Sequence, residues 1–412
     1  MNSGFGSSEF SPLDDAVCVL EVAVVLIATF IAALGFVSVA LITQLRGYRL
    51  GGTITLGVVT VYTLKNFVMF PVFLLSTALA YLGLDLLKRR TLIYGRDELI
   101  AAILIGTLIP VIALTTLSEL ASDVRNIAFI GSILPGLAAY NYHQMKPEYR
   151  RQDLGATLGL FAVLFALGAA LVSPSIAQLV SPLTPPILLA QSSEIAVFRG
   201  AVAVEVTEQP LMPRQVLVFV LMVGLIAAEY LRARFDVRTG VIAAALLAVF
   251  TLENQWLFVL YVTIFGCSYL IVTVVHHRTL RYGRVLLGIG TAAAALMTVV
   301  VTVLLPISRG LAAFFTGIVA GVMAYNTHAT APAERRVVFP LQLLVFVPLL
   351  IVLRLIAAPG DAGFPQAVTL PVMLGAVVVT GAALWYAYTA TVAQPDDSAV
   401  LSSSVLSGGD GS

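Results

Sequence analysis

The chain has 412 residues, 59% of them hydrophobic and only 11% charged. Soluble domains carry about 25% charged residues. An ordinary cytosolic enzyme and a disordered regulator are therefore excluded, and so is a nucleic-acid binder, which needs a basic face where this chain has a net charge of +1. Cys18 and Cys267 both sit in apolar runs and make neither a disulfide framework nor a zinc cluster. The composition is that of an all-α polytopic membrane protein.

A membrane-spanning helix needs about 20 mostly apolar residues. In chain order such runs are Ala16–Thr43, Asn66–Leu87, Glu98–Leu117, Asn126–Tyr142, Leu154–Val172, Gln215–Leu231, Gln255–Val275, Val285–Pro306, Leu311–Tyr325, Val337–Ala357 and Ala367–Val392. Two further runs, Gly51–Leu64 and Gly240–Leu252, cover only about 20 Å at ~1.5 Å per residue, against a hydrocarbon core of roughly 30 Å. The chain thus has about 13 transmembrane segments, or 11 if the two short ones are half-helices. The first run is preceded by Glu9, Asp14 and Asp15, where a signal peptide has a positive region, and it is too long for a signal's apolar segment.

Basic residues set the orientation. With thirteen spans and the N-terminus outside, only Lys65, Arg125, Arg199, Arg214 and Arg309 of the 23 Lys and Arg fall outside. Arg354 lies within a run, and the other 17 fall inside. This predicts a multi-pass plasma-membrane protein with its C-terminus in the cytoplasm.

The chain repeats itself. Thr91-Leu-Ile-Tyr94-Gly95-Arg96 returns as Thr279-Leu-Arg-Tyr282-Gly283-Arg284, 188 residues on, and the same shift maps Lys65-Asn66 onto Glu253-Asn254 and Gly52 onto Gly240. Gly136-Leu-Ala-Ala-Tyr140-Asn141-Tyr-His143 matches Gly321-Val-Met-Ala-Tyr325-Asn326-Thr-His328 at a shift of 185, as Arg150-Arg151 matches Arg335-Arg336. A colinear match of this extent reads as an internal duplication. Six runs per copy make the copies parallel, related by an axis along the membrane normal. The domains expected are 1–172, the first repeat with its N-terminal helix; 173–213, an extracytoplasmic linker; 214–358, the second repeat; 367–392, an extra transmembrane helix; and 393–412, a disordered cytoplasmic tail. Within the linker, Glu194–Glu208 alternates apolar and polar residues and predicts a hairpin.

Chemistry-bearing motifs are sparse. The chain has no phosphate-binding G-x-x-x-x-G-K-[ST], no H-E-x-x-H and no G-x-S-x-G, and four scattered histidines make no metal site. No catalytic residue is assigned. Tyr94-Gly95-Arg96 and Tyr282-Gly283-Arg284 are either interface tyrosines beside inside-loop arginines, or turns whose arginines meet a carboxylate or an acidic partner. Arg125 and Arg309 either snorkel or guide a polyanion. Pro135, Gly136 and Gly321 mark close helix packing or, at Pro135-Gly136, a kink along a polar path. Asn141, His143, Asn326 and His328 either cap helices or gate an entry. Lys65 and Glu253 are ordinary turn residues or buried charges, and in the second case they are expected to pair near the pseudo-twofold axis.

At these motifs the sequence resembles the small membrane subunit of bacterial poly-γ-glutamate synthase, the PgsC/CapC family. The resemblance rests on Ile93-Tyr94-Gly95-Arg96, the apolar Leu99–Gly106, Ile133-Leu134-Pro135-Gly136-Leu137 with Asn141, and the upstream Gly52 and Gly57. It covers about Arg46–Val172. Departures are Leu56, where the family has proline, and in the second copy Ala320-Gly321 for Pro-Gly and Ala245 for Gly57. The resemblance implies a non-catalytic subunit that anchors a cytoplasmic, Mur-ligase-like ATP-dependent amide ligase beside a further membrane-anchored subunit. It would assist extension or export of a polyanionic glutamate polymer. ATP and a divalent metal belong to the ligase, and no cofactor to this chain. Two other readings stand beside this one: a secondary transporter, and a membrane scaffold for a peptide-modifying enzyme, as in a similar seven-helix domain found with transglutaminase-like proteins.

Overall fold

In the computed structural model the described residues are 24–91, 93–120, 133–176, 187–202, 214–235, 237, 240–307 and 310–390. Their regular structure is helical. The helices are α1 (Val24–Arg46), α2 (Thr55–Lys65), α3 (Met69–Arg90), α4 (Arg96–Leu120), α5 (Leu134–His143) and α6 (Arg150–Leu171), followed by the short α7 (Glu194–Arg199). Then come α8 (Arg214–Phe235), α9 (Val241–Glu253), α10 (Trp256–Thr279), α11 (Gly283–Thr302), α12 (Gly310–Ala329), α13 (Arg335–Ile356) and α14 (Leu370–Ala390). Among the described residues nine helices are long and apolar enough to cross a membrane. The all-α polytopic architecture is the one the composition implies. The expected tail 393–412 and the linker's end 203–213 lie outside the described residues.

The helices end where charge begins. Lys88, Arg89 and Arg90 close α3, Arg232 and Arg234 close α8, and His276, His277 and Arg278 close α10. Cations there leave hydrocarbon and also meet the negative end of the helix dipole. Inside the bundle, buried threonines bond their own helix: the Thr60, Thr63, Thr251, Thr298 and Thr316 hydroxyls each donate to the carbonyl four residues back. A hydroxyl in an apolar interior is costly unless so paired.

The two short helices are central. All eleven residues of α2 are buried, and most of α9 is buried as well. Around them the pairings recur at the shifts seen in the sequence. In residues 24–171, α1 packs on α2, α2 on α6, and α3, α4 and α5 on one another. In residues 214–356, α8 packs on α9, α9 on α13, and α10, α11 and α12 on one another. Contacts between the halves are reciprocal, with α1 against α11 and α8 against α4.

Close crossings use glycine. A Cβ on Gly136 would collide with the Ala102 carbonyl of α4, and one on Gly321 would lie 2.6 Å from the Ala294 Cβ of α11. Pro135 occupies the first turn of α5, where a missing N–H costs nothing. The kink expected at Pro135-Gly136 depends on residues 121–132, which lie outside the described residues.

The expected hairpin is corrected over its first part. Glu194–Arg199 is helical, closed by Gly200 in the left-handed region at φ 62°. Local alternation lost to anchoring: the Glu194 carboxylate accepts from the Phe67 N–H at 2.7 Å, and Arg199 Nε donates to the Val172 carbonyl at 3.2 Å. These bonds strap α7 across the ends of α2 and α6. Arg354, unmatched in the sequence, donates through Nε and Nη2 to the Gln366 carbonyl at 3.1 and 2.7 Å.

The glycine crossings give a paired test. Gly136→Ala should lower stability by about 1–3 kcal/mol through overpacking. Gly155→Ala, with nothing within 4 Å of its Cβ, should be neutral or stabilising by up to about 1 kcal/mol. Thermal unfolding in detergent separates the two, and equal shifts would contradict the crossing.

Candidate functional site

The polar residues of the bundle gather at the end that carries the basic clusters. Their centre is the non-helical segment 47–54 between α1 and α2. Gly47, Leu50, Gly51 and Gly52 all have left-handed backbone, at φ 72°, 49°, 67° and 117°. Three of the four are glycine, the residue that adopts this region without steric cost. The segment turns into the bundle, and Leu50, Gly52 and Thr53 are buried.

Its backbone groups are satisfied by side chains of α5 and α6. Asp153 Oδ1 accepts from the Arg49 and Leu50 N–H groups at 2.7 and 3.0 Å. Asn141 Nδ2 donates to the Gly51 carbonyl at 3.4 Å and to the Leu137 carbonyl at 2.8 Å. The Thr55 hydroxyl donates to the Gly51 carbonyl at 3.0 Å. A Cβ on Gly52 would lie 2.9 Å from Asn141 Nδ2, so glycine makes room for the carboxamide. Asp153, which no sequence motif singled out, is 1% exposed.

The second half completes this cluster. Arg284 Nη2 donates to Asn141 Oδ1 at 2.6 Å, while Arg284 Nη1 is buried and bonds nothing among the described residues. Arg49, Tyr140, Asp153 and Tyr325 are the ionisable groups around it. Arg284 gets there because Gly283, at φ 62°, turns the chain into α11; Gly95, at φ 60°, does the same before α4. Tyr94 and Tyr282 stand exposed at these turns. The Arg96 side chain lies outside what is described.

A second cluster lies beside the first. Glu98, 1% exposed, receives Lys88 Nζ at 3.0 Å on Oε1 and Gln144 Nε2 at 2.8 Å on Oε2, with His143 Nδ1 3.4 Å from Oε1. The matching place in the second half holds histidines: His328 Nε2 meets His276 Nδ1 at 2.7 Å, and His328 Nδ1 meets the Thr273 hydroxyl at 3.1 Å. Leu286 stands where the first half has Glu98.

One arrangement is common to both halves. Arg150 donates to the Met145 and His143 carbonyls and to the Tyr81 hydroxyl. Arg335 donates to the Thr330 and His328 carbonyls and to the Tyr269 hydroxyl. Each arginine closes the last turn of the helix before it, which is the structural role that cations take at helix C-termini.

The remaining candidates lie outside these clusters. Asn326 is half-buried near the end of α12. Lys65, buried, and Glu253, half-buried beneath Gly360, close α2 and α9 at the opposite end. Gly136 and Gly321 serve close packing. Arg125 and Arg309 lie outside the described residues. Among the described residues no group of three or more His, Cys, Asp or Glu could hold a metal ion.

Asn141 and Arg284 should be energetically coupled. A charge-assisted hydrogen bond is worth about 1.5–3 kcal/mol, so a cycle of Asn141→Ala and Arg284→Ala should show about that coupling in unfolding free energy. Additive single effects would mean that the contact does not join the halves.

No curated protein and no solved structure matches the chain. Residues 34–151 match the family model described as capsule biosynthesis CapC. The matched segment runs from within α1 to the start of α6 and contains the 47–54 segment, Glu98, Asn141 and Arg150. Residues 34–151 are thus similar to the CapC family, which supports a place for this membrane protein in capsule biosynthesis.

Proposed function

We propose that the protein is the membrane subunit of a poly-γ-glutamate synthase. In this reading it anchors a cytoplasmic ATP-dependent amide ligase at its basic end and assists extension or export of the polymer. The observation that carries the reading is that the CapC match over residues 34–151 contains the irregular 47–54 segment, Thr55, Asn141 and Glu98; Asp153 and Arg284 join them from outside the matched segment. ATP chemistry is assigned to the ligase, because the chain has no phosphate-binding loop.

The reading includes an internal duplication. Its support is the recurrence of five of six helix starts at shifts of 185–190, the reciprocal contacts between α1 and α11 and between α8 and α4, and the shared arginine arrangement. The two copies then form a unit within one chain, and Arg284 of the second copy reaches the first. Exposed Arg89, Arg90, Arg278 and Arg281 at the basic end offer a cationic surface to an acidic patch of the ligase or to a polycarboxylate. Arg284, with one donor unspent, is the arginine best placed to exchange its Asn141 bond for a carboxylate, since the guanidinium fork suits that group.

The direct test is the γ-linked glutamate polymer on the cell surface with and without the gene. Polymer should vanish on deletion and return with the intact gene, while Arg284→Ala should restore it poorly although the protein is present at normal level. Absence of polymer from both strains would overturn the reading.

Sidedness has its own test. In a background lacking Cys18 and Cys267, Phe198→Cys should react with an impermeant maleimide in intact cells. Tyr94→Cys should react only after permeabilisation. The reverse pattern would place the basic end outside.

A further inference from the structure

A groove of about 420 Å³ opens on the side of the first half, between α2, α3, α5 and α6, well within the roughly 300–1,000 Å³ of ligand sites. Its floor includes buried Leu56, Val59 and Ala138, and its lips are exposed Leu74, Leu82, Leu154 and Leu158. The lips stand on α3 and α6, both long and apolar enough to cross a membrane. In a bilayer the mouth therefore faces hydrocarbon. Along α3 the lining runs from Phe70 to Leu82, about 18 Å at ~1.5 Å per residue. This is close to one leaflet's share of a core roughly 30 Å thick.

The two ends differ. Tyr81, Tyr142 and Asp153 lie at the basic end, while Phe70 and Phe161, stacked with centroids 4.4 Å apart, close the other. The Thr77 hydroxyl lines the groove one turn from Tyr81, buried and with no partner among the described residues. Exposed Arg151 precedes Leu154 and Leu158 by three and seven residues, on the same face of α6.

The groove is not a by-product of the helix arrangement. At the matching positions of the second half, Thr77 becomes Phe265, Ala138 becomes Met323 and Thr157 becomes Gln342. Phe265 stacks between Tyr261 and Tyr269, and Gln342 Nε2 lies 3.8 Å from Met323 Sδ. Larger side chains occupy there what the first half leaves open.

We propose that the groove holds one acyl chain of an anionic phospholipid from the leaflet at the basic end. The chain tip rests on the Phe70–Phe161 pair, the chain passes Thr77 on the groove wall, and the phosphate sits at Arg151. This site is independent of the polymer and of the ligase.

The test uses the full-length protein in nanodiscs containing phosphatidylglycerol with a diazirine in one acyl chain. After irradiation, label should concentrate on residues 70–82 and 154–161. It should be displaced by unlabelled phosphatidylglycerol more readily than by phosphatidylcholine of the same chains. Thr77→Phe with Ala138→Met, copied from the second half, should abolish the label, and Arg151→Gln should remove the head-group preference. Equal labelling of the matching segments 258–270 and 339–346 would overturn the site. So would label that persists in the filled variant. If the filled variant does not fold, the wild-type competition decides, and equal displacement by the two lipids would overturn the anionic assignment.

Discussion

The structure turns on one constraint: hydrocarbon offers no partner to a backbone N–H or C=O. Segment 47–54 carries four left-handed residues, so it cannot satisfy itself as a helix does. Asp153 takes two of its N–H groups, and Asn141 and Thr55 supply one of its carbonyls. Removing the carboxylate would leave two N–H groups without an acceptor, each costing about 1–3 kcal/mol. The start of α6 and the end of α5 are therefore held to the start of α2, and the position of Asn141, which Arg284 meets, follows from that.

The two halves share a scaffold and differ in chemistry. The arginine–tyrosine closure is present in both, joining Arg150 to Tyr81 and Arg335 to Tyr269, and it is structural: it ends a helix and spends its donors on carbonyls. Elsewhere the second half is less polar. Val338 stands for Asp153 and Leu286 for Glu98. Buried carboxylates are costly unless paired, and both of the first half's are paired, with the 47–54 backbone and with Lys88 and Gln144. Glu98 and the 47–54 segment lie within the residues that the CapC model matches, and Asp153 lies two residues beyond them.

Much of this was legible in the sequence. Apolar runs located the long helices within a few residues, because length and hydropathy suffice when the solvent is lipid. The literal repeats gave the correspondence of the halves, and a turn at Gly95 and Gly283, one of two readings open there, agrees with their φ angles of 60° and 62°. Pairings were not legible. Asp153 and Glu98 look like ordinary first-turn acids, which favour helix N-termini for reasons of dipole alone, and nothing local says that one caps a loop a hundred residues away. Tyr81 and Tyr269 carry the repeat shift, yet their meaning needs the arginines that reach them. The alternation after Glu194 misled because a short linker follows its anchors, Phe67 and Val172, more than its own periodicity. The groove is space left by small residues, and sequence records side chains only.

A single chain also permits what a symmetric dimer does not. In a homodimer with a twofold axis each residue meets its surroundings twice in the same way. Deepening the groove with Ala138, or closing it with Met323, would then happen on both sides at once. Two halves of one chain can divide the work: one keeps the carboxylates, the irregular segment and the open groove, and the other fills its interior and lends Arg284. An arginine lent across the interface has a further consequence. Its Nη2 is held by Asn141 of one half while its helix belongs to the other, so any ligand that competes for Arg284 acts on the contact between the halves. Differential affinity for the joined and released arrangements is what would let ligand occupancy change their relation. The buried and unspent Nη1 marks Arg284 as the place where such competition would begin.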